Sequence, residues 1–188
     1  MRETFSMKKS VYLLSIVVLV AIGAALLTPL GAIIGYRLWP DYPKNKNEVI
    51  KLSEMNSEAT ISYDEHGVPH IKADNLADLC RAIGFAHARY RGFQMDLLRK
   101  FSAGRLSELL GDQKALSSTT VEFDLAMRGW NFEKKATFKK SELSDKDLTI
   151  LEAYAEGVNH ALKKYPSIEH RILGLSPRKW VPRDSLLV

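Results

Sequence analysis

At 188 residues, 46% of them hydrophobic, the chain is long enough for one domain with its own core. Its 27 basic and 22 acidic residues leave a formal net charge of +5, a modest and dispersed excess that argues against a nucleic-acid partner. The one cysteine, Cys80, excludes an internal disulfide, so stability has to come from packing.

From Ser10 to Tyr36 there is no charged residue, and residues 11–27 are mostly Val, Leu, Ile and Ala. Continued to Ile34, the run is long enough to cross a ~30 Å hydrocarbon core as a helix. Arg2, Lys8 and Lys9 precede it, against Glu3 alone, which puts the N-terminus in the cytoplasm and everything after Arg37 outside. Tyr36 and Trp39 fall where interfacial aromatics are expected. A cleaved secretory signal beginning at Met7-Lys8-Lys9 is the competing reading, but the run exceeds the ~7–15 residues usual for a signal core. Both readings export the domain to the periplasmic or extracellular side. The expected organisation is a cytoplasmic stub and transmembrane anchor over residues 1–36, in the membrane through residues 11–36. A polar tether with Pro40 and Pro43 follows over 37–58, then the exported domain over 59–188. Without residues 1–36, which carry three basic and one acidic side chain, the net charge falls to +3.

Residues 60–63 and 68–73 are predicted strands joined by Asp64-Glu65-His66-Gly67, with Gly67 free to take a positive φ. Pro69 cannot donate to a ladder, which places the second strand at an edge or a bulge. His66 and His70 have a helical metal-ligand spacing, but a turn and a proline lie between them, so they read as surface or hairpin-packing histidines rather than zinc ligands. Asn75 is an N-cap, with Asp78 at the capping-box position. Leu76, Leu79, Ile83, Ala86, Tyr90, Phe93 and Leu97 recur at threes and fours, which predicts a helix with one buried face. Cys80 shares that face with Leu76, Leu79 and Ile83 and reads as a small hydrophobe. Arg81, Arg89, Arg91 and Arg99 lie mostly off the stripe. They form either a solvated basic face or ion pairs fixed against Asp96, Glu108 or acids elsewhere.

Gly104 ends this helix, residues 105–110 make a short amphipathic turn, and Gly111 caps it. Residues 114–138 are less patterned, with a helix over 121–128 and a bend at Gly129-Trp130-Asn131. Ser144, with Asp147 three residues on, caps a second long helix whose stripe is Leu148, Leu151, Tyr154, Ala155, Val158 and Leu162, ended by Pro166. Residues 172–182 hold Gly174, Pro177, Trp180 and Pro182 and read as an ordered loop. Asp184-Ser185 caps a helix beginning at Leu186, close to Val188, which is expected of a truncated chain.

No catalytic constellation emerges from the residues themselves: there is no Walker loop, GxSxG elbow, HExxH or CxxC. The five histidines share no spacing. Asp74, Asp78, Asp145 and Asp147 sit at helix starts, where capping and the helix dipole account for them. The residues alone give an exported, mainly helical domain with a hairpin.

Six segments in order carry a family resemblance. They are Asp64-Glu65-His66-Gly67-Val68-Pro69-His70-Ile71; Ala82-Ile83-Gly84-Phe85-Ala86-His87-Ala88; Phe93-Gln94-Met95-Asp96; Gly104-Arg105-Leu106-Ser107-Glu108 with Gly111; Leu151-Glu152-Ala153-Tyr154-Ala155-Glu156-Gly157-Val158-Asn159; and Leu173-Gly174-Leu175-Ser176-Pro177 through Trp180, Pro182 and Asp184. The chain resembles the N-terminal part of the α chain of the penicillin amidase (penicillin acylase) family of N-terminal-nucleophile hydrolases. The resemblance implies an α+β fold: after the transmembrane helix, a partial αββα sandwich made of a mainly helical portion with a β-hairpin, incomplete in this chain. It implies hydrolysis of acyl amide C–N bonds, in β-lactam side chains, N-acyl homoserine lactones or similar substrates. The nucleophile would be the first residue of a β chain, with its own α-amine as base, and the oxyanion donors would also come from the β chain.

On this reading the nucleophile, the acyl pocket and the calcium ligand of the α chain all lie beyond Val188. No catalytic, cofactor-binding or metal residue is carried over, although many full-length members hold a structural calcium. The implied partners are the remainder of the α chain, the β chain and a small acyl-amide substrate. A truncated, inert remnant or a membrane-tethered binding module is the alternative. The chain departs from the family at Arg89-Tyr90-Arg91-Gly92-Phe93, where members usually carry Gln-Asp-Arg-Leu-Phe. Loss of the acid at position 90 is expected to leave an arginine without its partner, and Gly92 inside a helix to cost ~1 kcal/mol.

Overall fold

The computed structural model describes Val18, Val20, Gly23, Ala24, residues 55–115 and residues 118–188. Its contacts divide the chain into residues 1–45 and 46–188. In the first unit the four described residues are helical. The rest of the expected membrane span over residues 11–36, and the tether up to residue 54, lie outside the described residues. Among the described residues no helix is long and apolar enough to cross a membrane.

The second unit opens with a hairpin. Strand β1 (Ala59–Tyr63) pairs antiparallel with β2 (Pro69–Ala73), with Ile61 opposite Ile71 and Tyr63 opposite Pro69. Among the described residues β2 pairs with β1 alone, so Pro69 opens a strand whose other side carries no ladder for its missing N–H to break. The Asp64 carboxylate closes the turn by accepting the N–H groups of His66 and Val68, each at 2.9 Å. Gly67 takes φ +79°.

Helix α1 (Leu76–Ala103) is the spine. The Asn75 side chain caps it by accepting the Asp78 N–H at 2.9 Å. The reciprocal half of the expected capping box does not form, because the Asp78 carboxylate turns to Asn56, Ser57 and Arg81 instead. The helix kinks at Arg91 (φ −131°, ψ 23°) and ends at Gly104, whose left-handed φ of +64° lets its N–H reach the Phe101 carbonyl and that of Arg105 the Lys100 carbonyl.

The buried face of α1 differs from the apolar stripe. Asp78, Arg81, Ala82, Gly84, Phe85, Ala86, Ala88, Gly92, Asp96, Arg99 and Ala103 are buried; of the stripe only Ala86 is among them, whereas Leu76 and Tyr90 are exposed and Leu79, Ile83, Phe93 and Leu97 only partly covered. The reason is a close crossing with α5 (Asp145–Lys164). A Cβ on Gly84 would strike the Tyr154 carbonyl, and one on Gly157 the Arg81 carbonyl. Where two backbones touch, small residues face inward and the large apolar ones are displaced to the flanks. Gly92 follows the same logic: a Cβ there would lie 2.8 Å from the Leu162 side chain. Its intrinsic helix penalty thus accompanies a close contact.

Between these helices lie α2 (Ser107–Leu110), a short ladder of β3 (Lys114–Ala115) with β4 (Ser118–Thr119), α3 (Thr120–Trp130) and α4 (Phe132–Ser141). Thr119 and Glu122 form a full capping box on α3. Asn131, at φ +59°, turns the chain sharply into α4. The sequence pattern predicts α3 and the bend but not α4, which buries only Ala136 and so has no stripe to detect.

Ser144 caps α5 and Ser167 caps α6 (Ile168–Ile172). The last helix, α7 (Pro182–Leu187), starts four residues earlier than the sequence suggests. Pro182 supplies the preset φ of a first helical turn, and Asp184 is inside the helix rather than its cap. The core joins Phe85, Ala88, Ala155, Val158, Ala161, Leu162 and Trp180, with Ile61 of the hairpin packed against it. The described domain is thus mainly helical with a small sheet.

Candidate functional site

The most developed constellation is a sealed charge junction where α1 meets the C-terminal segment. Arg99 lies at its centre, 2% exposed, with Asp96 at 2% and His170 and Asp184 at 0%. The guanidinium donates through Nε to Asp96 Oδ1 at 2.7 Å, through Nη1 to Asp184 Oδ2 at 3.1 Å, and through Nη2 to the Arg178 carbonyl at 2.6 Å. Arg178 Nη2 in turn donates to Asp184 Oδ1 at 2.8 Å, and the Val181 N–H to Asp184 Oδ2 at 3.1 Å. The two carboxylates thus meet two guanidiniums, that of Arg99 buried and that of Arg178 half in water. Burial opposes ionisation of Asp96, but the bonds from His170 and Arg99 outweigh it and hold the carboxyl below its ordinary range.

Trp180 completes the junction. Its ring lies 5.1 Å from the Arg99 guanidinium, and its Nε1–H donates to Ser185 Oγ at 2.9 Å. Its backbone N–H and C=O are both taken by the Asn159 side chain, at 2.7 and 2.8 Å. Phe93 stands edge-on to His170, ring centroids 5.2 Å apart.

The fold also brings together a Ser–His–Asp series that sequence reasoning did not assemble. Ser167 Oγ lies 2.7 Å from His170 Nδ1, and His170 Nε2 lies 3.2 Å from Asp96 Oδ2. Ser167 preceding His170 by three residues, at a helix N-cap, was the available sequence signal. The geometry serves structure rather than catalysis. The imidazole has no solvent access, the serine hydroxyl is already a helix cap, and Asp96 is neutralised by Arg99.

A second junction lies near the start of α1. Asp78, fully buried, accepts the N–H of Ser57 at 2.8 Å, that of Asn56 at 3.1 Å and Asn75 Nδ2 at 2.7 Å, and pairs with Arg81 at 2.5 Å. Arg81 reaches on to Glu156 of α5 through Nε and Nη2, at 2.9 and 2.7 Å. Burial works against the Asp78 anion, yet its donors win and the carboxyl is held below the usual range. A third acid, Asp124, also buried, accepts the N–H groups of Leu106 and Ser107 at 2.7 and 2.8 Å, which fixes the start of α2.

Two of the four arginines singled out in the sequence are therefore internal ion-pair donors. The expected pairing with Asp96 occurs, through Arg99, while Glu108 meets Lys100 at 3.0 Å near the surface. Arg91 is exposed, so the expected cost of a buried unpaired arginine does not arise there. Arg89 lies 4.5 Å over the Tyr165 ring. His66 lies on the exposed hairpin turn and His70 is exposed near the start of β2, 3.5 Å from Asp64. Cys80 is partly buried, and burial pushes its thiol upward. Among the described residues no three His, Cys, Asp or Glu side chains converge to hold a metal ion. The buried aspartates are saturated by arginines and amides, so the described residues do not fit a calcium site.

The sequence profile of penicillin amidase matches residues 58–188. The chain belongs to the penicillin amidase family. It is 35% identical over 141 residues to a penicillin acylase 2 proenzyme of Pseudomonas sp. (strain SE83), covering 74% of this chain and 17% of the relative. Similarity to an acyl-homoserine lactone acylase of Pseudomonas putida is 29% over 140 residues, covering 73% of this chain and 16% of that protein. A thermostable penicillin G acylase structure from Alcaligenes faecalis superposes with a TM-score of 0.62 at 25% identity, covering 69% of each chain. The chain thus spans about one sixth of the length of these two curated relatives. The family motifs now have physical roles. Gly84 and Gly157 admit the helix crossing, Asp96, Trp180 and Asp184 form the Arg99 junction, Asn159 anchors Trp180, and Gly104 gives α1 its left-handed end against α3.

Proposed function

We propose that this chain is the N-terminal portion of a membrane-anchored, exported acylase-like amidohydrolase that cleaves acyl amide C–N bonds. Its substrates would be β-lactam side chains, N-acyl homoserine lactones or similar amides. The nucleophile is the N-terminal residue of a separate β chain, and the residues described here scaffold it. The domain faces the periplasmic or extracellular side, held by an anchor in residues 11–36. The observation that carries this reading is the family match across residues 58–188. It is supported by the way the motif residues are spent on internal junctions, which suits a framework for chemistry supplied from elsewhere.

In this arrangement the Arg99 junction fixes the direction of α7 relative to α1. A serine hydroxyl attacking an amide carbonyl needs a base within hydrogen-bond reach, and a terminal α-amine titrating near neutrality supplies it on the same residue. The scaffold's contribution is positional, holding the segments around that residue still.

Sequencing the transcript downstream of Val188 is the first test. A frame running into a spacer and then Ser, Thr or Cys after a small residue is expected. A stop codon there would leave a remnant or a tethered binding module. The second test is turnover of penicillin G and an N-acyl homoserine lactone. The chain alone is expected to release no amine, and the mature two-chain protein to do so. Release by the chain alone would overturn the assignment of the nucleophile.

A further inference from the structure

The corner between α3 and α4 carries a set of side chains that the junctions do not use. Leu125 is 61%, Trp130 63% and Phe138 64% exposed. Trp130 and Phe132 stack across Asn131, ring planes 4° apart and centroids 6.2 Å apart, and Lys135 Nζ lies 5.5 Å from the centroid of the Phe132 ring. Lys134 and Lys135 precede Phe138 by four and three residues on α4, so they flank it on the outer face. Lys134, Lys135 and Lys139 are all exposed. The one acid of α4, Glu133, turns inward to Arg105 at 3.6 Å and Arg183 at 2.8 Å. The outer face therefore presents aromatic rings and ammonium groups together, and Glu142, just past the helix, meets Lys139 at 3.4 Å.

We propose that this corner docks on a bilayer surface bearing anionic headgroups. A protein partner that covered Phe138 would have to cover Lys134 and Lys135 as well, and lysine is a residue that protein interfaces deplete. At a bilayer the same side chains are compatible. Trp and Phe rings settle at headgroup depth, while lysine stems lie along apolar surface with their ammonium groups among phosphates. Each lysine near an anionic surface contributes about fivefold in partitioning. The patch is small, so the contact orients a domain already held near the membrane more than it recruits one. It rests on the anchor proposed for residues 11–36 and not on the acylase chemistry.

The test uses the full chain with Trp39→Phe, reconstituted into vesicles of brominated phosphatidylcholine with or without brominated phosphatidylglycerol. Trp180, 3% exposed, is the internal reference, and its emission is isolated with Trp130→Phe. Trp130 emission is expected to fall at least about twofold further when phosphatidylglycerol is present, and K134Q/K135Q/K139Q to abolish that difference. Equal quenching in the two vesicles, or quenching that the triple variant leaves intact, would overturn the proposal. So would a Trp130 that lipid leaves unquenched but a catalytic chain shields from iodide, since the corner would then be a protein interface.

Discussion

Helix α1 carries the same local motif twice, Asp78-Leu79-Cys80-Arg81 and Asp96-Leu97-Leu98-Arg99. The copies are 18 residues apart, about five turns at 3.6 residues each, so both face the interior. In each the arginine pairs with the aspartate three residues before it. Their settings differ. Asp78 keeps backbone amides and Asn75 as donors, and Arg81 ends on Glu156, whose side chain is 43% exposed. Asp96 and Arg99 are closed in by His170, Asp184 and Trp180. An i,i+3 ion pair is a local property, whereas the consequence of breaking it depends on what remains to solvate the charge left behind.

The largest expected effect comes from Arg99→Met, which leaves Asp96 and Asp184 buried with their principal cation gone. A loss of about 3–5 kcal/mol in urea unfolding is expected. A loss below about 1 kcal/mol would mean that the junction is not sealed. Arg81→Met is expected to cost about 1.5 kcal/mol, because Asp78 retains its amide donors and Glu156 can turn to water. If Arg81→Met proved the more damaging of the two, the contrast drawn between the copies would be wrong.

Acid sharpens the comparison further. Asp78 and Asp96 both have lowered folded-state values, so the unfolded chain takes up protons first as the pH falls. The stability they contribute is complete above the unfolded value near 4 and disappears as pH drops through the lower folded values. The urea midpoint is expected to decline gently below about pH 6.5, where the unfolded chain protonates His87 before the folded one, whose imidazole burial and Arg91 hold below its ordinary value, and to fall more steeply below about pH 4. Asp96→Asn should flatten that fall, and a midpoint that rose on acidification would contradict the assignment. The smallest effect belongs to Glu156→Gln, about 0.5 kcal/mol, since that partner is half in water. A change several times larger would show Glu156 to be part of a closed site.

The sequence alone determined the elements whose cause is local. Asn75, Ser144, Gly104 and Gly111 end or start helices by their own chemistry, Asp64 and Gly67 make their turn, and Pro69 marks an edge. The order of six short motifs was enough to name the family. The tertiary structure decided the rest. Which face of α1 is buried depended on two backbones touching at Gly84 and Gly157, so of the apolar stripe only Ala86 is fully buried. The burial of Asp184 inside α7 depended on Arg99 and Arg178 holding its carboxylate, and the Ser167–His170–Asp96 series on bringing α6 against α1. Asp96 and His170 are 74 residues apart in the chain and Arg99 and Asp184 are 85 apart, and a spacing rule that reads one helical turn at a time cannot see such pairs.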